Sequence, residues 1–317
     1  MTWWNRRKTV PEATPVFATA QPMPCKTMVT GPMQIRRSVQ YGYDTGKPAV
    51  DLSKHAPETV QLVKGPYYAA QAALKAVGLF GVRIKIIVMV DGSGSMKGAY
   101  AEQDVQKMLN RALGFALNLD PSKSISVFTY GTSVSRPVLI ELSNYSSAGT
   151  LIKPDFGCTN MALGFEQALD IARNSEIRLP TMVINITDGD PNDGVSKIMA
   201  QKAMTRSVVS SSCEPIQVKN LAVKSVPYLE TIDDLQSWYE VRKDNSGNTV
   251  HDHEGHVILD YNPKGVRLID NVDSQKVSPG DSDQRWAEAF AGEVRDWLDA
   301  SAQVGLITGV PGIDRRY

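Results

Sequence analysis

The chain has 317 residues, 42% of them hydrophobic, and its 34 lysines and arginines balance its 34 aspartates and glutamates. This length and composition allow a substantial core, in one large domain or two small ones. The balanced charge provides no overall field that would favour nucleic acid or an anionic membrane as a partner. Cys25, Cys158 and Cys213 lie far apart in the sequence. Their spacing argues against a disulfide framework and favours a reducing compartment.

The N-terminal sequence MTWWNRRK lacks the apolar segment of a signal peptide, and no stretch approaches about eighteen uninterrupted apolar residues. We therefore expect a cytoplasmic protein without a membrane span. Prolines at positions 11, 15, 22, 24 and 32, with no sustained period, predict an extended arm over residues 1–50. Trp3 and Trp4 in this arm either pack on the folded domain or anchor a partner, and the sequence leaves both interpretations open.

The first elements after the arm are a helix and a buried strand. Residues 66–80, PYYAAQAALKAVGLF, are rich in alanine and predict a packed helix or a segment that leads into the first strand. Residues 84–90, IKIIVMV, are short, β-branched and almost wholly apolar, as expected for a strand buried on both faces. Apolar residues then recur at steps of three and four from Val105 to Leu117, which predicts a helix that packs on the sheet.

Strands and helices continue to alternate toward the C-terminus. Residues 124–130 and 134–140 predict two strands joined by a tight turn at Gly131 and Thr132, with the second strand antiparallel at the sheet edge. The remaining predicted elements are a helix at 161–173, a strand at 181–187, a helix at 194–208, a strand at 216–223, a short last strand at 267–271 and a terminal helix at 284–300. This order predicts an α/β domain with a mostly parallel sheet and helices on both faces.

Oxygen-bearing side chains follow the predicted strands at the ends where parallel strands place ligands. Asp91, Ser93 and Ser95 follow the first strand in DGSGS, Thr159 lies in GCTN, and Asp188 follows a later strand. Because loops at the carboxyl ends of parallel strands meet at one edge, we expect these side chains to converge. Few protein oxygens, only some of them charged, suit Mg2+, which keeps several waters. Mn2+ and Ca2+ are alternatives.

The motifs DGSGS, GCTN and ITDGD together resemble the metal-ion-dependent adhesion site of von Willebrand factor A domains. The resemblance implies a Rossmann-like sheet of six strands. It also implies direct metal ligation by Ser93 and Ser95, ligation by Thr159 in some states, and contact through water for Asp91 and Asp188. An aspartate or glutamate of a protein partner would fill the open coordination position. Asp190 has no fixed family role and is a candidate to hold the metal ligands in place without binding the metal itself.

A narrower resemblance covers residues 50–300. The stretches VDLSKHAPETVQLVK, ALNLDPSKSISVFTYGTSV, LIDNVD and EAFAGEVRDWLDA are similar to those of the tellurium-resistance TerF-like group. That resemblance implies a metal-dependent scaffold in a bacterial or phage system of tellurium resistance or general stress response. It suggests a folded domain over residues 51–300, followed by a C-terminal tail at 301–317. The terminal helix around Trp286 and Trp297 is a candidate for conformational signalling.

Residues 236–266 depart from the TerF-like pattern and predict an inserted hairpin with a turn at Asn245–Ser246–Gly247. The segment contains His251, His253 and His256. Alternate residues of a strand share a face, so the first two histidines can share a metal ion with the third or with Asp260. A solvated hairpin with ordinary histidines is the simpler interpretation.

Three features of the sequence allow a competing interpretation. A nucleotide-binding loop is disfavoured, because no GK[ST] follows the glycines and Gly92, Gly94 and Gly98 miss the GxGxxG spacing by one residue. A metal-dependent hydrolase of phosphate esters is the alternative function, although no histidine is expected near the site and no GxSxG occurs. Cys158 is expected to be a small buried residue rather than a reactive thiol. The sequence therefore predicts a non-enzymatic binding module.

Overall fold

The computed structural model describes residues 39–40, 46–175, 179–209, 215–233, 236–250, 259–261, 266–303 and 307–308. Its strands are β1 Val39–Gln40, β2 Lys85–Asp91, β3 Ser124–Tyr130, β4 Val138–Glu141, β5 Thr181–Thr187, β6 Ile216–Ala222, β7 Gln236–Val241, β8 Leu259–Tyr261, β9 Val266–Asp270, β10 Val272–Lys276 and β11 Ile307–Thr308. Its helices are α1 Pro57–Val60, α2 Lys64–Ala76, α3 Lys97–Ala101, α4 Asp104–Leu119, α5 Ala148–Leu151, α6 Met161–Arg173, α7 Gly194–Val209, α8 Pro227–Ile232, α9 Asp283–Ala291 and α10 Val294–Gln303.

The main sheet has six strands in the order β10-β6-β5-β2-β3-β4. All neighbouring strands are parallel except β4, which pairs antiparallel with β3 at the edge. The predicted mixed sheet of six strands is therefore confirmed. Strand β2 lies between β3 and β5. The chain after β2 builds β3 on one side of it and later builds β5 on the other side. This arrangement creates a switch point at the carboxyl end of β2.

Side chains of β2 alternate between two apolar cores because successive residues of a strand point to opposite faces. Ile86, Val88 and Val90 belong to one core, which also contains buried residues of α2, α4, α9 and α10. Ile87 and Met89 belong to the other, with buried residues of α6, α7 and α8. The sheet is thus covered by helices on both faces. Across the described ranges, no helix combines the length and the apolar character that crossing a bilayer requires.

The edge strand begins later than the sequence predicts. Residues 131–137 form a loop rather than a tight turn, and β4 starts at Val138. Within the loop, the backbone N–H of Gly131 donates to the carbonyl of Ser133, and that of Ser135 donates to the carbonyl of Thr129. These two bonds flank Tyr130 and Val134 and pair them in the antiparallel sense. Only an isolated bridge, between Tyr130 and Val134, remains of the predicted pairing there.

The last strand of the main sheet is β10, not the predicted strand at residues 267–271. That segment corresponds to β9, which forms a separate three-stranded antiparallel sheet with β7 and β8. Asn271 separates β9 from β10; it is fully buried, and its side-chain amide donates to the carbonyl of Met204 at 3.2 Å. Strand β10 has the sequence VDSQK, which lacks the apolar run typical of a buried strand, so the sequence analysis missed it.

The predicted terminal helix is broken into α9 and α10 at Gly292 and Glu293, where Glu293 has a φ of 55°. Lys219 of β6 donates to the Gly292 carbonyl and forms an ion pair with Asp273 of β10. Both charged side chains are completely buried. Burial lowers the pKa of Lys219, and the charge of Asp273 opposes that shift. The helix therefore ends where its free carbonyl meets a buried ammonium.

The small antiparallel sheet carries a turn at the predicted position. Gly247 has a φ of 83°, and the Asp244 carboxylate accepts hydrogen bonds from the backbone N–H groups of Ser246 and Asn248. The three histidines of this segment lie outside the described residues. The same is true of Trp3, Trp4, Cys25 and Cys213, and of the predicted arm and tail except positions 39–40, 46–50, 301–303 and 307–308.

Close packing of α2 on α4 depends on a glycine. A Cβ at position 114 would lie 2.6 Å from Pro66 Cβ and 2.8 Å from the Tyr67 nitrogen. Gly114→Ala is expected to push α2 away from α4 and to lower the free energy of unfolding by about 1–3 kcal/mol. The displacement would also strain the bond from Asn118 to the Tyr67 carbonyl, 3.1 Å long. Urea unfolding followed by circular dichroism measures the change.

Gly98→Ala is the matched control, because Gly98 is also helical and a Cβ there would meet nothing within 4 Å. It is expected to leave stability unchanged or to raise it by up to ~1 kcal/mol. Equal stabilities of the two alanine variants would contradict the packing argument.

Candidate metal centre

Asp91 is the last residue of β2 and lies fully buried at the switch point. One carboxylate oxygen accepts a hydrogen bond from the backbone N–H of Ser93 at 2.8 Å. The other accepts from the hydroxyl of Thr187, at the end of the neighbouring strand β5, at 2.6 Å. Burial raises the pKa of Asp91, hydrogen bonds from Thr187 and Ser93 lower it, and the nearby charge of Asp188 adds to the rise. The carboxylate is held in one orientation by its own loop and by the neighbouring strand β5.

A chain of hydroxyls leads from this carboxylate to a second one. The hydroxyl oxygens of Ser93 and Ser95 lie 3.0 Å apart, and the Ser95 hydroxyl donates to Asp188 Oδ1 at 2.6 Å. Ser93 is buried, Ser95 is exposed, and the Asp188 side chain is 1% exposed. The structure therefore brings Asp91, Ser93, Ser95 and Asp188 together, with Ser95 exposed at the surface.

Backbone bonds attach the loop that contains Thr159 to the same edge. The N–H of Gly94 donates to the carbonyl of Gly157 at 3.1 Å. A Cβ built on Gly189 would lie 3.9 Å from the hydroxyl oxygens of both Ser95 and Thr159. Gly189 thus stands between these two side chains. The Thr159 N–H donates to the Asn192 side chain at 3.0 Å, which orients the threonine toward the loop after β5.

The described contacts of Asp190 are with residues outside the serine motif. Its carboxylate accepts from the backbone N–H of Tyr228 at 3.0 Å and contacts the Lys197 ammonium at 3.3 Å. Both partners belong to the helices that follow β5 and β6. The described contacts of Asp190 thus hold α7 and α8 in place, and its supporting role toward a metal stays a prediction.

Lys224 is a site residue that the sequence analysis missed. It follows β6, and its ammonium lies 2.6 Å from Asp188 Oδ2. The lysine side chain is 62% exposed, whereas its carboxylate partner is almost completely buried. A single lysine in a loop has no periodic or motif signal, so only the adjacency of β6 to β5 reveals the contact.

Cys158 is exposed, so the expectation that it is buried is wrong. Its backbone N–H donates to the Thr132 hydroxyl at 3.1 Å, and the Asp155 carboxylate accepts from the N–H of Gly157 at 2.9 Å. These bonds fix the loop on the surface beside Thr159 while the cysteine side chain faces outward.

The donor set fits a hard divalent ion with few protein ligands. Two buried carboxylates and three hydroxyls lie at one edge of the sheet, and the described contacts of Asp91 include no cation. Two nearby carboxylates that share a single lysine as counter-ion are costly in a buried position. Within the described ranges, no group of three or more His, Cys, Asp or Glu side chains could hold a metal. A centre here would therefore depend on hydroxyl oxygens, which suit Mg2+.

A six-stranded sheet covered by helices, with a DGSGS loop at its switch point, is the architecture of a von Willebrand factor A-type domain. The family described as vWA-TerF-like, the vWA domain found in the TerF C terminus, matches residues 83–257. This match covers more than half of the chain, which therefore belongs to the vWA-TerF-like family. Domains of this type are generally protein-interaction modules, and the described residues give no specific sign of an enzyme.

Similar solved structures share only parts of the chain. The pilus adhesin SpaC from Lactobacillus rhamnosus GG matches with 19% identity and a TM-score of 0.27, over 35% of this chain and 16% of SpaC. Proximal thread matrix protein 1 from the mussel byssus matches with 15% identity and a TM-score of 0.35, over 47% of this chain and 41% of that protein. No curated protein matches the chain.

Proposed function

We propose that this protein is a metal-dependent interaction module, a scaffold in a tellurium-resistance or general stress-response system. It binds Mg2+ through Ser93, Ser95 and, in some states, Thr159, with Asp91 and Asp188 acting largely through water. An aspartate or glutamate of a partner protein completes the metal coordination. Family membership supports the interaction role, and the chemistry of the donor set supports the metal.

One observation carries the proposal: hydroxyls of Ser93 and Ser95 form a hydrogen-bonded chain to buried Asp188, directly beside buried Asp91. Each carboxylate supplies negative charge without occupying the solvent side, where Ser95 is exposed. An ion held by this cluster keeps at least one position open to an outside ligand. The observation thus favours an adhesive site over an enclosed structural metal.

A partner carboxylate gains affinity at such a position by replacing a metal-bound water with a charge-assisted contact in a partly desolvated site. The surrounding loops, from Lys153 to Cys158 and from Gly189 to Asp193, provide the surface that selects among partners. Electrostatic attraction sets the encounter rate, while packing on those loops sets the lifetime of the complex.

Isothermal titration with Mg2+ tests the metal premise. The wild-type chain is expected to bind one ion, and Ser93→Ala is expected to weaken binding at least about tenfold, because even an outer partner of a metal ligand costs that much. Ser122→Ala is the matched control: Ser122 is an exposed serine that bonds Ser124 at the opposite end of β3. Equal affinities for the wild type and Ser93→Ala would refute the site.

Partner recovery and turnover assays separate the module from the hydrolase. Chelator-sensitive recovery of a defined partner, lost in Ser93→Ala and restored by excess Mg2+ in the wild type, is expected for a scaffold. Metal-dependent hydrolysis of phosphate esters or nucleoside triphosphates that Asp188→Ala abolishes would instead establish an enzyme. The purified full chain is used in both assays.

A further inference from the structure

We propose that Lys224 is a tethered cation that competes with the divalent ion for Asp188, so that metal loading requires the ammonium to leave. The inference rests on the proposed Mg2+ site and adds a residue that controls its affinity. It arises from the position of Lys224 on the loop after β6, a neighbour of β5 in the sheet.

Both oxygens of Asp188 are engaged in this arrangement. Oδ1 accepts from the Ser95 hydroxyl at 2.6 Å, and Oδ2 contacts the Lys224 ammonium at 2.6 Å. A metal ion, or a water bound to it, needs lone pairs of the same carboxylate. The Ser95 proton can rotate away when its oxygen ligates the ion, whereas an ammonium beside a divalent cation is repelled. Ion entry and the Lys224 contact therefore oppose each other.

The exposures of the two partners decide which one moves. The Lys224 side chain is 62% exposed and the Asp188 side chain is 1% exposed. Lys224 can swing into solvent at the cost of one ion pair, without uncovering the core. Asp188 has no such freedom, because it follows the buried strand β5 directly. The lysine is the movable member of the pair.

The charges of Asp91 and Asp188 explain why a lysine stabilises the site before the metal binds. Asp91 and Asp188 are linked through Ser93 and Ser95, so the two carboxylates lie close together. Burial raises the pKa of Asp91, and the repelling charge of Asp188 adds to that rise. Among the contacts described for these two carboxylates, Lys224 supplies the only positive charge. It neutralises part of the cluster in the metal-free protein. A divalent ion takes over that role and reaches both carboxylates.

A matched control pair lies in the segment that follows β5. Lys197 contacts Asp190 at 3.3 Å, with exposures of 37% and 35%. That carboxylate also accepts from Tyr228 and makes none of the described bonds to Ser93, Ser95 or Asp91. Lys197→Met removes one positive charge from the same region as Lys224→Met does. It therefore separates the specific contact from the general effect of charge.

The test is isothermal titration of Mg2+ alone into the full chain. Lys224→Met is expected to lower the dissociation constant about tenfold, equivalent to ~1.4 kcal/mol. Lys197→Met is expected to change it less than about twofold, as for a surface charge of modest effect. Thermal unfolding gives a second measurement: Lys224→Met should melt at a lower temperature than the wild type in chelator, and should gain more from added Mg2+.

The outcomes distinguish this inference from the proposed function. Binding by Lys224→Met but not by the wild type would support the inference and overturn Mg2+ binding as a property of the native chain. Unchanged or weaker binding by Lys224→Met, with normal wild-type binding, would overturn the inference alone. Equal tightening in both lysine variants would also overturn it, since distance from the site would not matter. Absence of binding in all three proteins would overturn both.

Discussion

Lys219→Met is expected to lower the free energy of unfolding by about 3–5 kcal/mol, the usual cost of breaking a buried ion pair from one side. The substitution leaves Asp273 fully buried without its cation and removes the donor that meets the Gly292 carbonyl. Methionine matches the length of the lysine stem, so the loss reflects charge and hydrogen bonding rather than a cavity. Because that carbonyl ends α9, the junction with α10 should loosen first.

Urea unfolding of the single variant and of the double variant Lys219→Met/Asp273→Leu measures the effect. The double variant should recover most of the lost stability, since an apolar pair can replace a buried ion pair at little cost. Hydrogen exchange at residues 292–294 reports the loosening directly. A single variant within about 1 kcal/mol of the wild type would show that the pair contributes little.

Asp91→Asn is expected to remove about half or more of the stabilisation by Mg2+ without lowering the stability of the metal-free protein. In the wild type, an ion concentration of about 100 times the dissociation constant adds about 2.7 kcal/mol. Burial raises the pKa of Asp91, so its ionised form is unfavourable in the metal-free fold. Asparagine keeps the oxygen that accepts from Ser93, and the Thr187 hydroxyl can turn its proton to the Gly189 carbonyl, 3.1 Å away.

Thermal unfolding in chelator and in excess Mg2+ checks this prediction. The two melting curves of Asp91→Asn should lie much closer together than those of the wild type, and its curve in chelator should lie at or above the wild-type curve in chelator. Asp120→Asn is a useful comparison, because Asp120 is also buried with a raised pKa but lies beside Ile86, at the other end of β2. It should keep the full response to Mg2+. A Mg2+ response in Asp91→Asn like that of the wild type would remove Asp91 from the site.

The sequence predicts those parts of the fold whose signal is local. Strand β5 and helix α6 have the predicted bounds. Strand β5 is rich in β-branched residues between Pro180 and Asp188, and α6 is an amphipathic run between Asn160 and Asn174. The convergence of Asp91, Ser93, Ser95 and Asp188 also follows from sequence, since three of them share one short motif and strand order brings the fourth beside them. The binding of metal by these residues stays a prediction.

Local sequence patterns do not predict the features that depend on tertiary contacts. The pattern of EAFAGEVRDWLDA predicts one helix. The helix is broken instead, because the buried ammonium of Lys219 binds the Gly292 carbonyl and Glu293 adopts a left-handed conformation. Nothing near Lys224 in the sequence indicates a partner more than thirty residues earlier. Cys158 looked like a core residue by type, but bonds to the loop backbone turn that segment to the surface.

The family match begins just before β2 and ends before β9, yet one apolar face of the sheet is covered partly from outside those limits. Phe115 of α4 packs against Phe290 of α9, their ring centres 5.0 Å apart, and α2 lies alongside both helices. The segment that matches the family is therefore shorter than the segment needed to cover the core. A homologue reduced to the shared segment would have to shield Phe115 with polypeptide of another origin.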